Sequence, residues 1–323
     1  MNIYHSIEQF IQKHALIERD QKLVVGLSGG PDSVFLLYFL ASLREKYNIS
    51  LIAAHLNHEW RPQADQEQKD CEIIAKHVNI PFVSAKRSEL SFPFKQNGSQ
   101  EEYGRKMRRY FFENILREHN ADTIALAHHL QDQEETFFIR LIRGSSLTGL
   151  TAMKPKHGFY IRPLLETHKS DMLAWLHNNN IAYATDVTNE SPDYLRNRIR
   201  MNVLPALREC DDRFETNFLT TLNRLKITEE FLEKLTQKTF NEVSYIQDNQ
   251  RYINIAEFLN VDEPLRSRIL MYWLIMEKVS FPITQAFIEE IMRFLQSPQG
   301  GTHTLHEAWS IVKKQNSAMI FFN

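Results

Sequence analysis

The chain has 323 residues, 43% of them hydrophobic, with 38 Lys and Arg against 40 Asp and Glu, a formal net charge of −2. That length favours two domains, that apolar fraction rules out disorder, and that charge excludes a globally basic nucleic-acid binder, so a nucleic-acid site must be a local patch. No run approaches the roughly 18 apolar residues of a membrane span. The amphipathic start lacks the marks of a signal peptide, and Cys71 and Cys210 form no CxxC, which suits a reducing cytoplasm and gives no disulfide framework or zinc site.

In chain order, "KLVVGL" reads as a buried strand, followed by a helix from Ser33 to Lys46. "SLIAAHL" is a second strand, 63–78 a helix, "PFVSAKR" in part a third strand, 100–119 a helix, "DTIALAHH" a fourth strand and 132–143 a helix. Such alternation predicts an α/β fold with a parallel sheet covered by helices on both faces over residues 1–211. Beyond Asp211, "RFETNFLTTLNRLKITEEFLEKLTQKTFNEV" keeps helical spacing with no glycine or proline, and two amphipathic stretches follow, Glu263–Val279 and Thr284–Leu295. A second, mostly helical domain, 212–323, is therefore expected, ending in a β hairpin after "SPQGG".

The first strand runs into "GLSGGPDS". Gly29 and Gly30 allow positive φ and close backbone approach to a ligand. At a strand-to-helix turn the exposed N–H groups join the positive end of the helix dipole to make a phosphate site. Ser28 and Ser33 add hydroxyls, and Pro31 fixes φ where its missing N–H does no harm. The loop matches neither GxxxxGK[ST] nor GxGxxG. Asp32 is decisive: a carboxylate in a phosphate nest repels its ligand unless a cation sits between, which implies Mg²⁺.

Further polar residues gather at strand exits. "HLNHEWRP" places His55, Asn57, His58 and Arg61 after the second strand; "AHHLQDQEET" places His128 and His129 after the fourth, with Asp132 and Glu135 opening the next helix. "EEYGRKMRRYFFEN" carries Arg105, Lys106, Arg108 and Arg109 on a helix with a defined apolar side. From Thr136 to Leu165 no acidic residue occurs, while Arg140, Arg143, Lys154, Lys156 and Arg162 accumulate; Arg196, Arg198 and Arg200 follow. This is the local basic stripe that the net charge hides, and arginine forks suit phosphate.

The loop SGGxDS resembles the signature of the PP-loop ATP-pyrophosphatases. Together with HxNHxxR, GRxxR, HHxxDQxET, LxRG and YxRNRIRxxxxP in this order, over roughly residues 20 to 208, the chain resembles the tRNA(Ile)-lysidine synthetase family. The resemblance implies an adenine nucleotide alpha hydrolase-like, Rossmann-like catalytic domain and a helical tRNA-contacting region. It also implies a carbon–nitrogen ligase that joins the ε-amine of free lysine to C2 of the wobble cytidine of isoleucine tRNA with a CAU anticodon. The cytidine is adenylated on the way, ATP becomes AMP and pyrophosphate, and the codon read changes from AUG to AUA. By that resemblance Ser28, Gly29, Gly30, Pro31, Asp32, Ser33, His55 and Asn57 bind ATP, and Asp32 and Asp132 hold Mg²⁺. Asp132 and Glu135 are the candidates to meet the lysine ammonium, and His128, His129 or a phosphate oxygen would take its proton. Arg61, Arg105, Arg108, Arg143, Arg196, Arg198 and Arg200 contact tRNA phosphates.

The chain departs from the family at Gln131, where an aspartate is usual, and at Gly104 and Arg109, where ARxxRY is usual. Some relatives carry a further C-terminal domain. A homodimer is left open. The competing readings are a PP-loop amide ligase acting on a small acid, which gives no reason for RNRIR; a PP-loop thiolase, which needs catalytic cysteines, whereas Cys71 and Cys210 are expected outside the crevice; and a nucleotide- or RNA-binding module without catalysis, which gives no reason for acidic residues at two strand exits.

Overall fold

The computed structural model describes residues 3–95, 99–184, 194–280, 283–306 and 308–322. They divide into two units, 1–223 and 224–323. The division falls inside a long helix that starts just beyond the change of composition near Asp211.

In the first unit a helix, α1 (Ile3–Lys13), precedes β1 (Lys22–Gly26), α2 (Pro31–Ser42), α3 (Arg44–Tyr47), β2 (Ser50–Asn57), α4 (Ala64–His77) and β3 (Phe82–Lys86). Then come α5 (Gln100–Glu118), β4 (Thr123–Ala125), α6 (Leu130–Ile142), α7 (Leu147–Leu150), β5 (Lys156–His157), β6 (Tyr160–Ile161) and α8 (Lys169–Asn178). Two short helices, α9 (Leu195–Arg198) and α10 (Leu204–Cys210), are joined by a π-helical turn at Ile199–Val203. The strand order is β3-β2-β1-β4-β6-β5. All neighbours pair in parallel except β5, which folds back antiparallel on β6. The parallel sheet was legible from the alternation; the two-residue strands β5 and β6 are too short to leave a period.

The pleat sends Leu23 and Val25 of β1 to one apolar core and Val24 to another. On the first face lie α1, α2 and α8; on the second Met107, Phe111, Phe112 and Ile115 of α5 pack. Helix α2 buries Val34, Phe35, Leu36, Leu37, Phe39 and Leu40, so it is apolar around its circumference, as a helix enclosed by its neighbours must be. Its first turn is therefore fixed in place. Successive strands step from β1 to β2 on one side and from β1 to β4 on the other, so the order reverses there. In open α/β sheets that crevice, outside the carboxyl ends of the strands, is where ligands bind.

The second unit begins within α11 (Phe214–Val243) and adds β7 (Ser244–Gln247), β8 (Gln250–Asn254), α12 (Ile255–Leu259), α13 (Glu263–Met276) and α14 (Gln285–Gln296). It ends in β9 (Gly301–His306), β10 (Trp309–Lys314) and β11 (Ser317–Phe322). The expected helices are present. The tail is a three-stranded meander rather than a hairpin, and β8 adds to it, giving a five-stranded antiparallel sheet β7-β8-β11-β10-β9. Trp273, Phe240, Phe258 and Ile311 are fully buried in its core.

Candidate active site

The loop after β1 is built as its residues require. Gly29 has φ +83°, a conformation that L side chains rarely adopt, and a Cβ there would lie 3.3 Å from the Cys71 Sγ. Gly30 caps α2 and Pro31 is its first residue. The Ser33 hydroxyl donates to the Gly30 carbonyl (2.9 Å) and accepts the Ser28 N–H (3.1 Å), and the Ser28 and Ser33 hydroxyls meet at 3.0 Å. The two serines thus shape the loop from within. The N–H groups of the first turn of α2 have no partner within the helix and form the anion nest.

Beneath the loop, His55 Nδ1 lies 2.9 Å from the Leu27 carbonyl, and Cys71 Sγ lies 3.4 Å from the same nitrogen. Cys71, expected outside the crevice, is absent from the lining of the cavity and lies fully buried under Gly29, on α4, which packs back on β2. Burial, with Asp70 and Glu67 nearby, pushes its thiol up to about 12, so it stays protonated. Asn57 is buried and occupied: its amide donates to Asp65 (2.9 Å) and Gln68 (3.0 Å), and its oxygen accepts the Glu59 N–H (2.9 Å).

Asp32 and Asp132 come together across the switch point. Their Oδ2 atoms each lie 3.5 Å from His129 Nε2, and Asp132 also accepts the His129 N–H at 3.0 Å. Lys169 reaches Asp32 at 3.4 Å, and the other Asp32 oxygen is buried with no hydrogen-bond partner. Gln131 explains its own departure from the family pattern. Its Oε1 accepts the Lys169 N–H (3.1 Å) and faces His129 Nδ1 at 3.0 Å, so that ring nitrogen donates. With Nδ1 donating and Nε2 facing two carboxylates, the charged form of the ring is favoured. Burial alone would lower its pKa; the Asp32 hydrogen bond and the charges of Asp132 and Asp32 outweigh burial and raise it. Both aspartates are correspondingly lowered, despite burial, by His129. His128 is the opposite case. Burial, together with Arg162, Arg105 and Arg196, brings it down to about 4 against the pull of Asp132, so at neutral pH it is uncharged.

Glu135 is buried and already paired: Arg196 Nε lies 3.1 Å and Arg200 Nε 2.6 Å from its carboxylate. Arg196 and Arg200, expected at phosphates, both pair with Glu135, and Arg196 also donates to Thr136 (3.3 Å). Glu134 is held by Arg208 at 2.6 Å. Arg143 and Arg198 are exposed.

A cavity of about 740 Å³ opens beside the loop. Ser28, Ser33, His55, Asn57, His128, Arg61, Arg105, Arg108 and Arg196 of the expected set line it; Asp32, Asp132, His129 and Glu135 stand outside its lining. Seven arginines and Lys154 face it against one acidic residue, Glu67. Arg140 and Arg162, absent from the expected set, are in its wall, anchored through Gly149 and Ala152 carbonyls (2.6 and 2.8 Å) and the Lys154 carbonyl (2.9 Å). The basic stripe was the signal that could have found them; Lys169 and Trp60 had none.

Comparison with known proteins gives the family. A family model described as "PP-loop domain" matches residues 1–207. The tRNA(Ile)-lysidine synthase of Clostridium tetani is 31% identical over 319 residues, 97% of this chain and 68% of the relative. The chain belongs to the PP-loop family, among the tRNA(Ile)-lysidine synthases. A "Bifunctional protein TilS/HprT" of Listeria monocytogenes is 34% identical over 300 residues, 90% of this chain and 46% of that protein. The chain spans about half the length of the curated relatives it matches. Among solved structures, the U34-tRNA thiolase NcsA of Methanococcus maripaludis superposes with a TM-score of 0.58 at 18% identity, covering 69% of this chain and 79% of the other, a likeness of fold alone.

Proposed function

We propose that this chain carries out lysidine formation: free lysine is joined through its ε-amine to C2 of the wobble cytidine of isoleucine tRNA bearing CAU, with ATP converted to AMP and pyrophosphate. The observation that carries the reading is that Asp32, in the glycine nest, and Asp132, across the switch point, come together at His129 beside a cavity rimmed by arginine. It accounts for a nucleotide, a cation and an RNA at one place; an amide ligase for a small acid leaves the arginine rim without a task.

In this reading the nest at Gly29, Gly30 and the first turn of α2 takes the departing pyrophosphate, with Ser28 and Ser33 holding its shape. The cytidine C2 oxygen attacks the ATP α-phosphate, and lysine then displaces AMP from C2. The buried Asp32 oxygen that has no hydrogen-bond partner, and the Asp132 carboxylate beside it at His129, fit a hard divalent cation. Among the described residues no group of three or more His, Cys, Asp or Glu is arranged as a metal site, so Mg²⁺ would be held by Asp32 and Asp132 and complete its shell from phosphate and water. When bound it would neutralise charge on the leaving group.

Lysine has a pKa of about 10.4, so reaching its nucleophilic form at pH 7 costs roughly 4–5 kcal/mol. Glu135 is engaged by two arginines, which favours Asp132 as the ammonium partner. His129, whose charged form the two carboxylates favour, is engaged between them; His128, uncharged at neutral pH, is the available ring, with a phosphate oxygen as the alternative. Arg61, Arg105 and Arg108 line the cavity and meet tRNA phosphates, with exposed Arg143 and Arg198 further out, while Arg196 and Arg200 orient Glu135. His55 and Asn57 support the nucleotide by fixing the ends of β1 and β2. Residues 1–211 and 212–323, the division expected from the sequence, share the work as catalytic and tRNA-contacting parts.

Replacing Asp32 by Asn tests this directly. Pyrophosphate release that depends on tRNA should fall at least a hundred-fold (on the order of the loss when a key electrostatic group is removed), with the melting temperature within a few degrees of wild type. Unchanged release would remove Asp32 from the chemistry.

A further inference from the structure

Trp60 is unassigned by the reading above, yet its seat is unusual. It follows β2 at the mouth of the cavity and is 37% exposed. Its indole stacks on His58 with centroids 4.5 Å apart and planes at 18°. His58 is in turn 3.5 Å from an Arg108 nitrogen, which steadies the lower ring. Directly against the indole, Gly104 lies within α5, where glycine costs about 0.5–1 kcal/mol relative to alanine. A Cβ at Gly104 would come 2.5 Å from Trp60 Cη2. The family pattern has alanine there. The glycine therefore clears a slot for the indole, and a helix position is weakened to seat an aromatic ring that remains partly open to solvent.

An isolated exposed tryptophan needs no explanation. One wedged in a cleared slot, stacked on an uncharged ring and followed by Arg105 and Arg108 on the adjoining helix, does. Aromatic shelves bordered by cationic groups are how proteins hold bases, since every base has a π-face and its phosphate lies one sugar away. We propose that Trp60, seated on His58 and slotted against Gly104, is a stacking shelf for a nucleobase entering the cavity. The base has two sources: the adenine of the nucleotide, or a base of the RNA loop that carries the reactive cytidine. The second source rests on the function proposed above; the first does not.

The test measures equilibrium binding of labelled AMP and of a labelled anticodon stem-loop RNA bearing CAU to the full chain and to Trp60→Leu, Trp60→Phe and Gly104→Ala. Trp60→Leu should weaken one probe by roughly ten-fold, the scale of losing one base–aromatic stack. Trp60→Phe should lose much less, and Gly104→Ala, which leaves the indole intact but fills its slot, should lose affinity for the same probe. Loss of AMP names adenine; loss of RNA names the loop base. Both probes bound within two-fold of wild type by the folded leucine and alanine variants would overturn the shelf, as would equal losses for leucine and phenylalanine. If Trp60→Leu does not fold, phenylalanine against Gly104→Ala decides. A wild-type protein that binds a probe through Trp60 but incorporates no lysine into tRNA would defeat the functional reading and leave the shelf standing.

Discussion

His58 sits at the cavity mouth as an uncharged ring. Burial first, then the charges of Arg108, His55, Arg87 and Arg61, push its pKa down to about 3 from an unfolded value near 6.5. A histidine depressed in this way contributes stability that is fully present above pH 6.5 and is lost as pH falls toward 3, because the unfolded chain takes up the proton first. His58→Phe keeps a ring under Trp60 and removes the titration. The wild type should therefore lose about 2 kcal/mol relative to His58→Phe between pH 6.5 and pH 4.5, read from paired thermal or urea melts; parallel curves would show that the ring is solvated. At this scale the sequence was legible wherever a residue conflicted with its local setting. Asp32 in a phosphate nest is such a conflict. Lys169 is not: it meets Asp32 across 137 positions of chain, and nothing in its own neighbourhood marks it. Gln131 was visible as a departure, but its task, bridging His129 and the Lys169 N–H, depends on where α8 begins.

Helix α6 carries Gln133, Glu134 and Glu135 fully buried in succession, and no apolar periodicity accounts for that. Its polar residues are satisfied from other elements: Gln133 by the Met153 backbone (2.8 Å), Glu135 by Arg196 and Arg200, and Glu134 by Arg208 from α10. Buried carboxylates are tolerable only when paired. Arg208→Met, which leaves Glu134 without its partner, should cost about 3 kcal/mol in urea unfolding at pH 8. Arg213→Met, which removes a highly exposed pair with Asp211, should change nothing measurable. Equal effects would show that Glu134 does not depend on Arg208. Most helices and the longer strands announced themselves through period and length, to within a few residues. The arginines after Tyr194 did so only in part. Their spacing predicted a fan of positive charge, whereas the π-helical turn at Ile199–Val203 follows α9, and Arg196 and Arg200 both turn to Glu135. The hairpin β7–β8 was hidden because its strands, four and five residues long, carry exposed polar residues such as Gln247 and Gln250.

For the whole chain, a net charge of −2 and a cavity faced by seven arginines are compatible because the charge is segregated: no acidic residue lies between Thr136 and Leu165. That segregation gathers basic groups in the first unit and was readable from sequence. The meander of the second unit was read only as a short β tail, since its register is set by pairing with β8, which the sequence did not reveal. The central claim is that the glycine nest, the aspartate pair and the arginine rim serve one reaction on one base. The most direct test is incorporation of labelled lysine, with ATP and Mg²⁺, into transcripts of isoleucine tRNA bearing CAU and into the same tRNA with a different wobble base. The account predicts label in the first alone, with AMP released in proportion. Absence of label from both, with pyrophosphate released when ammonia and a small acid are supplied, would contradict it and identify an amide ligase instead.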